Sequence, residues 1–294
     1  MTVPPGASLR TAARKAVEGG VRAEATLLYA YFRLAANPEQ TIKPGDYEVT
    51  RGMTPQLLLD KLVRGDRIVL AVTFVEGWTF KQVRAALAKA EHLRPDTRTM
   101  APPDIMKALG MPGKHPEGRF FPDTYNYTKN TSDLAVLRQS MQLMEKQLAA
   151  AWEARAPGLP LKSAEEALIL ASIVEKETGT HADRPEIAGV FINRMKIGMR
   201  LQTDPTVIYG LGDKFDGNLR RSDLTTDTPW NTYTRAGLPP TPIAMPGRAS
   251  LIAAVQPATT RSLYFVARGD GSSHFSGSLE EHNRAVNKFQ RGIQ

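Results

Sequence analysis

The 294-residue chain contains no cysteine, which excludes disulfides, thiol catalysis and cysteine-ligated zinc. Its histidines, at positions 92, 115, 181, 274 and 282, form no HExxH and no close pair with metal-ligand spacing. GxSxG, P-loop and GxGxxG patterns are also missing, so serine-hydrolase and nucleotide chemistry lack their usual carriers. No cofactor and no metal is expected. Long apolar runs are absent too: the most apolar stretch, ATLLYAYFRLAA, is too short and too interrupted to span a bilayer. Met1 is followed by Thr-Val-Pro-Pro rather than by a basic and then apolar run, so no signal peptide is read. A soluble chain is expected, and its start inside the strand-like TVPPG suggests that a segment precedes it. The net charge is +8, yet the basic residues are scattered with no stripe and no reading motif. That argues against a nucleic-acid partner and for a cationic surface suited to membrane headgroups or a charged polymer.

What is present is ordinary globular material, 41% hydrophobic and 23% charged, in a length that allows one large domain or two modest ones. The first hundred residues carry a weak repeat: PGASLRTAARKAVEGG, RGMTPQLLLDKLVRGD and EGWTFKQVRAALAKAE each place Gly-x-Ser/Thr before an amphipathic helix. The extended segments TVP, YEVT and VTFV precede the glycines, and Ser8, Thr54 and Thr79 stand where a helix N-cap accepts a backbone N–H. Three strand–turn–helix units are predicted, with an extra helix over 23–36. EGRFFPDTYNYT reads as an ordered loop, and a helix over 132–155 carries Leu134, Leu137, Met141, Met144 and Leu148 on one stripe.

Ser163 and Glu166 then form a capping-box signature for a helix that Gly179 stops. A helix over 185–196 follows, and TDPTVIYGLG opens another with Asp204 or Thr203 as cap. SLYFVARG reads as a buried strand and SLEEHNRAVNKFQR as a closing helix. The order implies an α+β fold in two parts, 1–66 and 67–294.

The helix ending in ASIVEKETG poses the chemical question. On a helical wheel Glu177 lies above Ile173 and Val174, on the inward stripe, whereas Glu175 lies above Ala171 and Leu168, near the opposite side. A solvated or salt-bridged structural role is expected for Glu175. For Glu177, burial and the negative end of the helix dipole both disfavour the charged form and raise the pKa. A carboxylic acid held protonated near neutrality can give a proton to a leaving oxygen. The competing reading is that Glu177 pairs with Arg194 or Arg200 inside the fold and does nothing more. Downstream gather Asn193, Gln202, Asp204, Tyr209, Trp230, Asn231 and Tyr233, amides and aromatics suited to a sugar polymer. Each of them also has a plain structural reading, Asp204 as a cap and Trp230 as core.

ASIVEKETG, VFINRMKIGMRLQTDPTVIYGLG, NTYTRAGLPPTPI and EGRFFPDTYNYT together resemble the YceG-like (MltG) family of endolytic murein transglycosylases, along essentially the whole chain. The resemblance implies a LysM-like subdomain over 1–66, carrying VPPG and GDYEV, and a catalytic domain over 67–294. It implies cleavage of the β-1,4 bond between N-acetylmuramic acid and N-acetylglucosamine in peptidoglycan strands, without water. The I-x-x-x-E-[ST] spacing of lytic transglycosylases matches Glu177, as the lone acid and base, and Thr178. By similarity Gln202, Asp204, Asn231 and Tyr233 line the cleft. The family further implies work on nascent glycan beside penicillin-binding synthases, setting strand length, from an N-terminal membrane helix on the outer, periplasmic face of the cytoplasmic membrane. No such helix is read in this chain. Two other readings stay open: a hydrolytic muramidase with Asp204 as second carboxylate, and a non-catalytic peptidoglycan-binding scaffold.

Overall fold

The computed structural model describes every residue except 38–39, 178–179, 181 and 293–294. The chain divides into two compact units. The first takes in Met1–Val72 together with Lys89–Asp96 and Tyr125–Val136, so it is discontinuous in sequence; the second comprises Thr73–Ala88, Thr97–Thr124 and Leu137–Gln294.

In the first unit the caps form where the hydroxyls stand. Ser8 Oγ accepts from Thr11 N at 3.2 Å and opens α1 (Leu9–Glu18). Thr54 Oγ1 accepts from Leu57 N at 3.2 Å and opens α3 (Pro55–Arg64). Gly65, at φ +80°, ends α3 in the left-handed conformation that other residues enter only with strain. Between them α2 (Ala25–Ala35), the expected extra helix, packs on both. β1 (Thr2–Val3) pairs antiparallel with β2, but β2 is Gly45–Asp46 and not the YEVT segment. The reason is Tyr47: its ring is fully buried and its hydroxyl donates to Lys43 O at 2.6 Å, so the chain turns inward there. Val3, Ala12, Ala16, Leu28, Phe32, Leu59 and Leu62 close around that ring.

The third extended segment, β3 (Leu70–Thr73), pairs with β4 (Thr124–Tyr127). The end of EGRFFPDTYNYT is therefore a strand and not a loop. Its alternation, with Tyr125 and Tyr127 buried and Thr124 and Asn126 exposed, is the period-2 signal that its proline and asparagine obscured. Helices α4 (Phe80–Lys89), α5 (Pro102–Ala108) and α6 (Asp133–Glu153) follow the expected order, α5 being additional. Of the α6 stripe, Leu137, Met141, Met144 and Leu148 are buried, whereas Leu134 is half-buried.

The core of the second unit is built around α7 (Ala164–Glu177), in which every residue from Ala167 to Val174 is buried. Burying each large aliphatic side chain there contributes roughly 1.5–3 kcal/mol, so this helix is a rigid platform. Ser172, in its middle, donates to Ile169 O at 2.7 Å and accepts from Ile243 N at 3.0 Å, which satisfies a buried hydroxyl. α8 (Arg184–Lys196), α9 (Asp204–Leu211) and α11 (Arg248–Val255) surround it, with α10 (Arg221–Thr225) beside α9. The antiparallel hairpin of β5 (Tyr264–Ala267) and β6 (Ser273–Ser276) is backed by α12 (Leu279–Gln290), which a Ser278–Glu281 capping box opens. Only Val266 of β5 is fully buried, so the expected buried strand is a half-covered one.

Candidate active site

Glu177 is the last residue of α7, half-buried, with Oε1 accepting a hydrogen bond from Thr203 Oγ1. Its pKa is pushed up from 4.5 to about 7. Burial is the main cause and the neighbouring Asp204 adds to it, while the Thr203 bond and Arg194 pull the other way. The helix C-terminus acts in the same direction as burial. The result is a carboxyl divided between its acid and base forms near neutral pH.

Thr203 is the N-cap of α9, yet its side chain makes no capping bond. The hydroxyl that pattern alone assigns to the helix serves Glu177 instead. Thr203 N donates to Thr232 Oγ1 at 3.1 Å, which locks the segment. One residue earlier, Gln202 sits at φ +48°, a left-handed conformation that typically costs about 1–3 kcal/mol for a residue other than glycine. Asp204 accepts from Tyr233 Oη at 2.5 Å. A cleft of about 380 Å³ is lined by Glu177, Gln202, Asp204 and Tyr233 on these segments, and also by Arg194, Tyr264 and His282.

Three of the expected residues, Gln202, Asp204 and Tyr233, thus stand with Glu177 around one cavity. Asn231 does not line it. It is fully buried, its Nδ2 donating to Asp223 O, Leu224 O and Thr226 O at 3.2, 3.1 and 2.7 Å. Its Oδ1 accepts from Tyr233 N at 2.8 Å, so it holds the Tyr233 backbone from behind the wall. Thr178 lies outside the described residues.

The other amides and aromatics are structural. Asn193 Nδ2 donates to Thr260 O and Ser262 O, Trp230 Nε1 to Thr241 Oγ1, and Tyr209 packs edge-on against Trp230. Nor does Glu177 form the expected alternative ion pair with Arg194 or Arg200. Arg194 gives Nε to Leu263 O at 2.6 Å and Nη1 to Leu201 O at 2.7 Å, and Arg200 gives Nη1 to Tyr233 O at 2.9 Å. Among the described residues, Glu177 has no ion-pair partner.

Glu175 is not solvated. Its side chain and that of Arg184 are each only 5% exposed and pair at 3.0 Å. Its second oxygen accepts from Gly247 N at 2.9 Å and Ser250 Oγ at 2.7 Å. The salt-bridged form of the expectation holds, because α11 covers the side of α7 that the wheel leaves to solvent.

Two residues that sequence reasoning passed over complete the picture. Glu117 is buried, accepts from Phe80 N at 2.9 Å and Tyr209 Oη at 3.1 Å, and has its pKa raised to about 7 by burial. Both oxygens are occupied, and it does not line the cleft. His282 does line it, stacked on Tyr264 at 5.2 Å and 25°. The available signal was its place at i+3 from Leu279 and i−4 from Val286, on the apolar stripe of α12. Among the described residues, no group of three or more potential metal ligands gathers, and no helix is long and apolar enough to cross a membrane.

An α+β chain in which a buried helix delivers one poised carboxyl to a polar, aromatic cleft has the parts of an acid–base catalyst. The chain belongs to the YceG-like family, whose sequence pattern matches residues 1–288. A Bacillus subtilis protein named endolytic murein transglycosylase is 34% identical, over 83% of this chain and 72% of its own length. A Streptococcus pneumoniae protein of the same name is 27% identical over 83% of this chain, which spans half of that relative. A crystal structure of a yceG-like protein from Listeria monocytogenes superposes with a TM-score of 0.60 at 29% identity, covering 96% of this chain and 97% of that one.

Proposed function

We propose that the chain is a lytic transglycosylase that cleaves the β-1,4 bond between N-acetylmuramic acid and N-acetylglucosamine within peptidoglycan strands, with Glu177 as sole acid and base. The observation that carries this reading is the position and state of Glu177, unpaired by any arginine, with a pKa of about 7, opening on the cleft. Protonated Glu177 gives its proton to the glycosidic oxygen as the bond to C1 breaks. The carboxylate left behind is favoured by the Thr203 hydroxyl and by the charge of Arg194. It then takes the proton of the muramyl 6-hydroxyl as that oxygen closes on C1, giving a 1,6-anhydro ring. No water is consumed and Glu177 ends protonated, ready to repeat. Because the nucleophile belongs to the sugar, a second carboxylate is not needed, unlike in a hydrolase.

In the same reading the enzyme acts endolytically on nascent strands and terminates their elongation. It works beside penicillin-binding synthases on the periplasmic face of the inner membrane, and the N-terminal part serves as a LysM-like glycan module. The names of the relatives support endolytic action on murein; the other points rest on the sequence resemblance alone. The deciding experiment is mass spectrometry of digested peptidoglycan. Ends in anhydromuramic acid, one water lighter than hydrolysis products, are expected. Reducing muramic ends would instead make Asp204, in the same cleft, the second carboxylate of a muramidase. Binding without turnover would leave a scaffold.

A further inference from the structure

The lining of the Glu177 cleft includes a residue to which the acid–base scheme gives no task. His282 projects from the first turn of α12 onto Tyr264 of β5, ring centroids 5.2 Å apart and planes within 25° of parallel. The guanidinium of Arg194 lies 5.2 Å from the centroid of the same tyrosine ring. The imidazole is therefore held by packing, and its edge decides what it can do.

Nδ1 is sealed from solvent and, among the described residues, has no hydrogen-bond partner. A buried N–H without an acceptor is costly, whereas a buried lone pair is the cheaper of the two arrangements. The proton of the neutral ring therefore belongs on Nε2, the other nitrogen of a residue that lines the cleft. Double protonation would place an unsatisfied N–H at Nδ1 close to the positive Arg194. In keeping with this, burial first and Arg194 second push the His282 pKa down.

We propose that His282 is a substrate-contact residue, its Nε2–H donating a hydrogen bond to an acceptor oxygen of an uncharged sugar unit bound in the Glu177 cleft. The inference rests on the glycan reading above and adds a contact to it. A fixed neutral donor discriminates through geometry: it gains from a carbonyl or hydroxyl oxygen placed in line with it, and it needs no counter-charge. Tyr264 supplies the orientation, and burial together with Arg194 disfavours the charged ring. His282 takes no part in the proton transfers.

The test is equilibrium binding of uncross-linked, stem-free glycan strands to the full chain carrying Glu177→Gln, so that nothing is cleaved. Adding His282→Ala should weaken binding about tenfold, the share of one well-placed hydrogen bond and its ring contact. His282→Gln, which restores an amide N–H close to the Nε2 position, should return affinity to within about threefold. His282→Phe, which keeps the ring on Tyr264 and loses the donor, should stay weak with an unchanged thermal midpoint. Equal affinity in all four proteins would overturn the proposal, as would rescue by Phe and not by Gln. The transglycosylase reading fails separately, by the wild-type chain producing no anhydromuramic ends.

Discussion

The end of α7 carries two carboxylates two residues apart, and their surroundings have opposite designs. Glu175 is closed in by Arg184, Gly247 and Ser250, both oxygens hydrogen-bonded and the charge paired with a buried arginine. Glu177 has one hydroxyl, a nearby aspartate and an open cleft, so its charge is resisted. Both are substantially covered. What separates a scaffold carboxylate from a working one here is charge compensation: Glu175 has a buried arginine against it, whereas Glu177 has no ion-pair partner among the described residues and its pKa is pushed up to about 7.

The largest effect should therefore separate the two by activity. Glu177→Gln should lower the rate of anhydromuramic end formation by about 10³-fold or more, since it removes both proton transfers, with the thermal midpoint retained. Glu175→Gln should keep much of the activity. The reverse pattern in a product assay would exchange the two roles and break the comparison.

Stability should separate them in the opposite sense. Replacing Arg184 by alanine leaves Glu175 buried without its counter-ion, only Gly247 N and Ser250 Oγ remaining on it, and should cost about 3–5 kcal/mol in urea denaturation. Glu177→Gln, which removes an uncompensated carboxyl, should cost little at pH 7. If the Arg184 variant lost less than about 1 kcal/mol, the pair would be behaving like an exposed one and the contrast would collapse.

Glu117 tests whether a raised pKa alone marks a catalyst. Like Glu177 it sits at about 7, but both its oxygens are held and it lines no part of the cleft. Its folded pKa lies above the ordinary 4.5, so the folded state holds the proton more tightly than the unfolded one. The stabilisation is complete below pH about 4.5 and is lost as pH rises through 7, roughly 3 kcal/mol across that window. Glu117→Gln should flatten that stretch of the stability–pH curve and leave the pH dependence of turnover in place. An unchanged stability curve would show that Glu117 ionises as freely in the fold as outside it.

Much of this was legible from sequence wherever the cause is local. Ser8, Thr54 and Thr79 each accept from the backbone N–H three residues on because a hydroxyl ahead of an apolar-periodic run has few better partners. The inward direction of Glu177 follows from the same periodicity. What was hidden depends on contacts across the chain. The wheel assumes one covered stripe and so left Glu175 either solvated or salt-bridged; α11, some seventy residues on, covers that side and selects the salt-bridged form. Asn231 carries the residue type of a sugar ligand, and only the fold shows its amide consumed by three carbonyls. Thr203 is the instructive case: its position says cap, yet the arrival of Glu177 from another helix claims the hydroxyl.

That claim yields the finest prediction. The Thr203 hydroxyl bonds the carboxylate and so pulls the Glu177 pKa down against burial. Turnover needs Glu177 protonated at the outset, so the rate should fall tenfold per unit above pH about 7. Thr203→Val keeps the shape and removes the donor. With the carboxylate less favoured, the pKa rises and the descending limb should move to higher pH, by about one unit for a hydrogen bond to a charged group. Below the limb the variant should also be a few-fold slower, since the carboxylate formed as the glycosidic bond breaks has lost a stabilising partner. A limb that stays in place would mean that Thr203 merely fills space and that burial alone sets the acid. A shift to lower pH would reverse the sign of the interaction. An unmoved limb in Glu175→Gln, measured alongside, would confine the effect to the open side of the helix.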